Sequence, residues 1–107
     1  MGLLKSDPPP WHPAPPDLRL AVANACKIGD MGLPNLATGY SLRHTISAER
    51  LLPLVVGFST PREVHECIKV WREVQAEGSI SDRKEIEKHA RNIFQDAGYL
   101  DWSWASP

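Results

Sequence analysis

The chain has 107 residues, enough for one domain, and its 42% hydrophobic and 23% charged content is that of a globular rather than a disordered sequence. A net charge of −1 with no basic block argues against nucleic-acid partners and charged membrane surfaces, and no apolar run reaches the ~18 residues of a membrane span. Pro8 comes too early for a signal peptide's apolar region. Cys26 and Cys67 lie far apart without metal-binding spacing, so a cytoplasmic location with reduced thiols is expected.

Residues 1–16 read as a loop, because six of the ten prolines fall there, at positions 8, 9, 10, 13, 15 and 16. Such density excludes helix and internal strand. Within it, Trp11 and the apolar start Met1-Gly2-Leu3-Leu4 suggest contact with another surface; the prolines lack the flanking basic residue of an SH3-type ligand. Asp17–Asp30 reads as a helix with Leu18, Val22, Ala25 and Gly29 on one stripe, widened by Ala21 and Cys26, and Gly29 or Gly32 ends it. Pro34 opens a second helix through about His44, with Leu36, Ala37, Tyr40 and Leu42 as its apolar positions. Gly39 inside it costs ~1 kcal/mol relative to alanine, so this helix needs packing to persist.

The nine residues Leu52–Thr60 organise the rest. Leu54, Val55 and Val56 form a short run suited to a strand buried on both faces, and Gly57 ends it. Ser59 or Thr60 caps the next helix, and Pro61 suits its first position. That helix, Arg62–Glu77, carries Val64, Cys67, Ile68, Trp71 and Val74 at helical spacing, and Gly78 stops it. Strand, turn and helix start together gather backbone N–H groups for an anion. After Ser79 or Ser81 as cap, a last helix, Asp82–Ala97, puts Ile86, Ala90, Ile93 and Ala97 on one face. The charge run Asp82-Arg83-Lys84-Glu85-Glu87-Lys88 reads as solvated, and Gly98 reads as the residue past the helix end. Residues 99–107 form a tail with Trp102 and Trp104 in alternation.

One clear strand, with Gly2–Leu4 as a second short candidate, is a peculiar inventory. A buried strand needs neighbours on both edges, and parallel β/α units need more such units. A closed barrel of that kind takes about 250 residues. The expected fold class is therefore α/β, the C-terminal fragment of a (β/α)8 barrel, mostly helical, with residues 1–107 as one partial domain.

Met1–Leu4, Pro9-Pro10-Trp11-His12-Pro13-Ala14, Leu36-Ala37 with Tyr40-Ser41-Leu42, Val55-Val56-Gly57-Phe58-Ser59-Thr60 and the ending Gly98-Tyr99-Leu100-Asp101-Trp102-Ser103-Trp104 resemble the C-terminal part of the aldo/keto reductases. The likeness is to the NAD-dependent L-galactose and D-arabinose dehydrogenase branch, with an ending like that of its fungal members. It implies a TIM barrel with a nicotinamide cofactor at its C-terminal face. Met1–Leu4 would end the loop over the pyrophosphate, and Leu54–Gly57 would be the eighth strand. Gly57, Phe58, Ser59 and Thr60 with the helix start would hold the adenosine end. Glu66 falls where relatives place a carboxylate near the adenine amino group. Cys67 stands where many have asparagine. Trp11, His12, Trp102 and Trp104 fall on the substrate side. His12 equally suits loop packing, and the two tryptophans equally suit anchoring of the tail.

Relatives that prefer NADP put cations near the ribose 2′-phosphate, whereas Gly57 and Glu63 occupy those positions here. A carboxylate repels a phosphate but accepts from a hydroxyl, which favours NAD over NADP. Glu63 is equally well read as a first-turn acid stabilised by the helix dipole. The aspartate, tyrosine, lysine and histidine of the family's catalytic set have no matching motifs in this chain, and no catalytic residue is assigned. The four histidines share no metal spacing. Two functions are expected to compete. One is a truncated aldose dehydrogenase, inactive alone and doubtful as a cofactor binder by itself. The other is a non-catalytic interaction module that docks on a full-length reductase or on itself. Uncovered apolar surface favours self-association.

Overall fold

A computed structural model of the chain describes residues 10–47, 53–76, 78 and 80–103. Four helices form among them: α1 (Pro16–Ile28), α2 (Leu33–Ser47), α3 (Pro61–Gln75) and α4 (Ile80–Asp96). Proline stands in the first turn of α1, α2 and α3, where its missing N–H costs nothing and its fixed φ starts a helix.

The helix ends follow from local chemistry. Thr60 caps α3 by accepting from the Glu63 N–H at 3.3 Å. α4 closes in a Schellman motif: Gly98 takes φ +75°, its N–H donates to the Gln95 carbonyl at 3.0 Å, and the Tyr99 N–H donates to Phe94 at 2.8 Å. α1 ends in the same motif, yet the left-handed residue is Asp30, at φ 52°, and not a glycine. The Met31 N–H reaches the Cys26 carbonyl at 2.9 Å, and the Asp30 N–H reaches Lys27 at 3.0 Å. Gly29, at φ −81°, serves a different purpose: a Cβ there would run into the Ile86 side chain. That glycine exists for the close approach of α4.

α2 packs on each of the other three helices, and α1 packs on α4. Leu18, Val22, Cys26, Leu36 and Ala90 form the buried cluster, with Ile86, Ile93, Phe94 and Tyr99 packed against it. The expected stripes of α1 and α4 supply most of this core. α3 departs from expectation. Its buried side runs through Val70 and Val74, while Ile68 and Trp71 are 43% and 45% exposed. α2 is the helix that covers most of what is buried of its broad apolar stripe.

Two further expectations are corrected. The described residues contain no strand and no sheet, so they do not form a barrel fragment with one clear strand. Residues 53–58 are irregular, and Val55 is 91% exposed instead of buried on both faces. A strand is defined by its ladder, and the partner candidate Gly2–Leu4 lies outside the described residues. Side-chain alternation nonetheless persists. Leu54, Val56 and Phe58 line one groove with α3, and Val55 is turned out to solvent.

The charge run on α4 is not a uniformly solvated face. Arg83 is 1% and Glu87 8% exposed. Arg83 donates to Asn35 Oδ1 at 2.6 Å and Glu73 Oε2 at 2.8 Å, joining α2, α3 and α4. Glu87 pairs with Arg43 of α2. Gly39 makes room for the first of these: a Cβ there would stand 2.5 Å from Arg83 Nη1 and 3.3 Å from Val74 Cγ1. Its entropic cost in α2 is offset by a contact that no larger residue allows.

Candidate functional site

The sequence concentrates its candidate binding residues at the start of α3, and the structure brings most of them together there. Phe58, Ser59, Thr60, Pro61, Val64 and His65 surround a depression of about 390 Å³. A second, of about 410 Å³, shares Phe58 and Val64 with it and is walled by Leu42, Leu54, Val56, Cys67, Ile68 and Trp71. Gly57 is exposed, with open space where a Cβ would stand. Phe58 is 40% exposed, an aromatic face available to a flat ligand.

The polar groups are arranged around Glu63. Its carboxylate accepts from the Ser59 N–H at 2.6 Å, while its own N–H donates to Thr60 Oγ1 at 3.3 Å. This is a capping box displaced by one residue. Glu63 is therefore a first-turn acid that closes the helix start, the second of its two readings. The anion position at the helix start is held by the chain's own carboxylate. Glu66 pairs with Arg62 Nε at 2.9 Å on the exposed side of the same turn. Cys67 is half-buried in the groove, and burial pushes its thiol pKa up.

The substrate-side candidates are dispersed over other segments. Trp11, 62% exposed, precedes α1. His12 Nδ1 accepts from the Ala14 N–H at 3.1 Å, tying the loop to itself. Trp102 is 53% exposed and meets Tyr99 edge to face at 5.5 Å. Trp104 lies outside the described residues, as do Met1–Leu4. Among the described residues no helix is long and apolar enough to cross a membrane.

Neither pyrophosphate nor a 2′-phosphate suits this corner, since Glu63 fills the helix start with negative charge and Arg62 is engaged by Glu66. A neutral nucleoside does suit it. Phe58 and Val64 supply apolar walls, and Ser59 and Thr60 stand at the rim.

No family model matches the chain, and no solved structure matches it. Of the curated proteins, L-galactose dehydrogenase of Arabidopsis thaliana is 30% identical over 106 residues, covering 92% of this chain. The chain spans about a third of that protein's length, 32%. It is thus distantly homologous to a dehydrogenase, in keeping with the aldo/keto reductase resemblance.

The sequence reading missed the buried charges of α4. The signal was present. At about 100° per residue, Arg83 falls about 20° and Glu87 about 60° from Ala90, inside the apolar stripe.

Proposed function

We propose that the chain is the cofactor-corner portion of an aldo/keto reductase related to aldose 1-dehydrogenases of the L-galactose or D-arabinose type. By itself it is inactive, and it works in the cytoplasm. The observation that carries this reading is its 30% identity over 106 residues to a dehydrogenase of which it matches about a third. Gly57, Phe58, Ser59 and Thr60 receive the adenosine end of NAD. Glu63 accepts from a ribose hydroxyl and disfavours NADP by repelling its 2′-phosphate, while Glu66 and Cys67 flank the adenine. When bound, the nicotinamide supplies the hydride acceptor for the sugar's C1. Proton transfer requires the aspartate, tyrosine, lysine and histidine that the resemblance calls for and that this chain's motifs do not supply. Trp11, His12, Trp102 and Trp104 belong to the substrate side in the assembled enzyme.

The test is a titration of the full 107-residue chain with NAD and with NADP, followed by amide chemical shifts, beside an assay with NAD and L-galactose. Shifts at 57–67 that are larger with NAD, and no reduced nicotinamide formed, are expected. Equal or absent shifts overturn the cofactor corner, and turnover above blank overturns the inactivity.

A second reading, a non-catalytic module that docks on a full-length reductase or on itself, is favoured by the exposed apolar group Val55, Phe58, Ile68 and Trp71 beside the same corner.

A further inference from the structure

α1, α2, α4 and the turn after α4 border an open groove of about 380 Å³, which shares no residue with the corner at 57–67. Leu33, Leu36, Ala90, Phe94 and Leu100 make its floor mostly apolar. Its polar part is Tyr40 and Ser41, half-buried, and Arg91 and Asp101, exposed. Glu87 is committed to Arg43 and offers nothing to an occupant. Arg91 and Asp101 carry opposite charges on one lining, so the groove selects neither a cation nor an anion. Ser41 Oγ donates to the Ala37 carbonyl at 3.0 Å, which leaves its oxygen free to accept.

The course of the chain says what covers this groove. After α4 the backbone makes a β-turn in which the Trp102 N–H donates to the Tyr99 carbonyl at 3.2 Å and Asp101 takes φ 60°. The two central residues of that turn, Leu100 and Asp101, both line the groove. Trp104, outside the described residues, follows Asp101 by three residues, a reach of about 10 Å in extended chain. Trp102 is held edge to face on Tyr99 and is not among the lining residues, as Trp11 is not. An indole is a large apolar body with one N–H donor, the chemistry that an apolar floor beside two hydroxyls suits. The guanidinium of Arg91 adds a cation for its face.

We infer that the side chain of Trp104 folds back into this groove, packing on Leu36, Ala90 and Phe94 with its N–H toward the hydroxyls of Tyr40 and Ser41, and so fastens the tail to α2 and α4. For the chain by itself this selects the anchoring reading of Trp104, and it does not rest on the function proposed above.

The experiment is nuclear Overhauser spectroscopy on the full 107-residue chain, with the Trp104 ring signals assigned by their loss in Trp104→Ala. Cross-peaks from that ring to the methyls of Ala37 and Ala90 and to Phe94 are expected. Both methyl signals should lose their ring-current shift in Trp104→Ala while the helical circular dichroism stays unchanged. Ala37→Glu places a charge on the half-buried lining and should abolish the same cross-peaks. A mixture of labelled and unlabelled chains separates the chain's own tail from that of a second copy. Absence of the cross-peaks, cross-peaks found only between differently labelled chains, or cross-peaks that survive Ala37→Glu would each overturn the inference.

Discussion

Single residues in this chain take parts that their type does not announce. Asp30 holds the left-handed position at the end of α1 while Gly29, one residue earlier, admits Ile86. An L-residue in that region costs about 1–2 kcal/mol. Asp30→Gly should raise the unfolding free energy by about 1 kcal/mol, seen as a higher urea midpoint with unchanged slope. Gly29→Ala should lower it. The cysteines behave as small apolar residues. Burial lifts the thiol pKa of Cys26 above its ordinary 9.0, opposed in part by a backbone hydrogen bond, and also raises that of Cys67. Because the folded-state value lies above the unfolded one, the folded chain keeps its thiol protons longer. The stabilisation is complete below about pH 9 and is lost as pH rises through the folded-state pKa. Denaturation curves across that range should show stability falling, and Cys26→Ala should flatten the fall.

Elements carry the next level. The corner at α3 depends on Thr60 and Glu63, which cap one another's turn. Thr60→Ala should cost about 1 kcal/mol in thermal or urea unfolding, and it should loosen the amides of Ser59 and Glu63 toward hydrogen exchange. Cap and proline signals made all four helices legible in the sequence, within a residue or two at most ends. Gly98 was legible as the residue past α4. Residues 53–58 were not, because a β-branched run specifies extended chain but cannot specify a ladder without a partner. Gly57, Phe58, Ser59, Thr60, Glu63, Glu66 and Cys67 share a turn and a helix start, which the sequence showed through the Thr60 cap and Pro61. The burial of Arg83 and Glu87 was hidden because charges on a helix are ordinarily assigned to solvent. Arg83 and Glu87 are buried because Asn35, Glu73 and Arg43 on neighbouring helices meet them. No local pattern announces those partners.

At the scale of the molecule, several large apolar side chains of the described residues stand in water. Leu20 and Ile28 on α1 are 61% and 86% exposed, and Ile68 and Trp71 on α3 join Val55 and Phe58. Exposed patches of this kind mark surfaces that meet another protein. The chain should elute from a sizing column as a concentration-dependent mixture larger than a monomer. Trp71→Glu should shift it toward monomer while leaving the helical circular dichroism unchanged. A sharp monomer at all concentrations would count against the docking reading.

The two arginine contacts between α2 and α4 step in the same sense, residue 39 beside 83 and residue 43 beside 87. Were α4 to slide by one turn, Arg83 would face Arg43, and two guanidinium groups would be buried without a carboxylate between them. Such a slip would also take Ile86 away from the space that Gly29 leaves for it, and like charge opposes it as well. The pair thus works as an indexing pin, which adds to the fit of α4 against α1 in holding four short helices to one alignment.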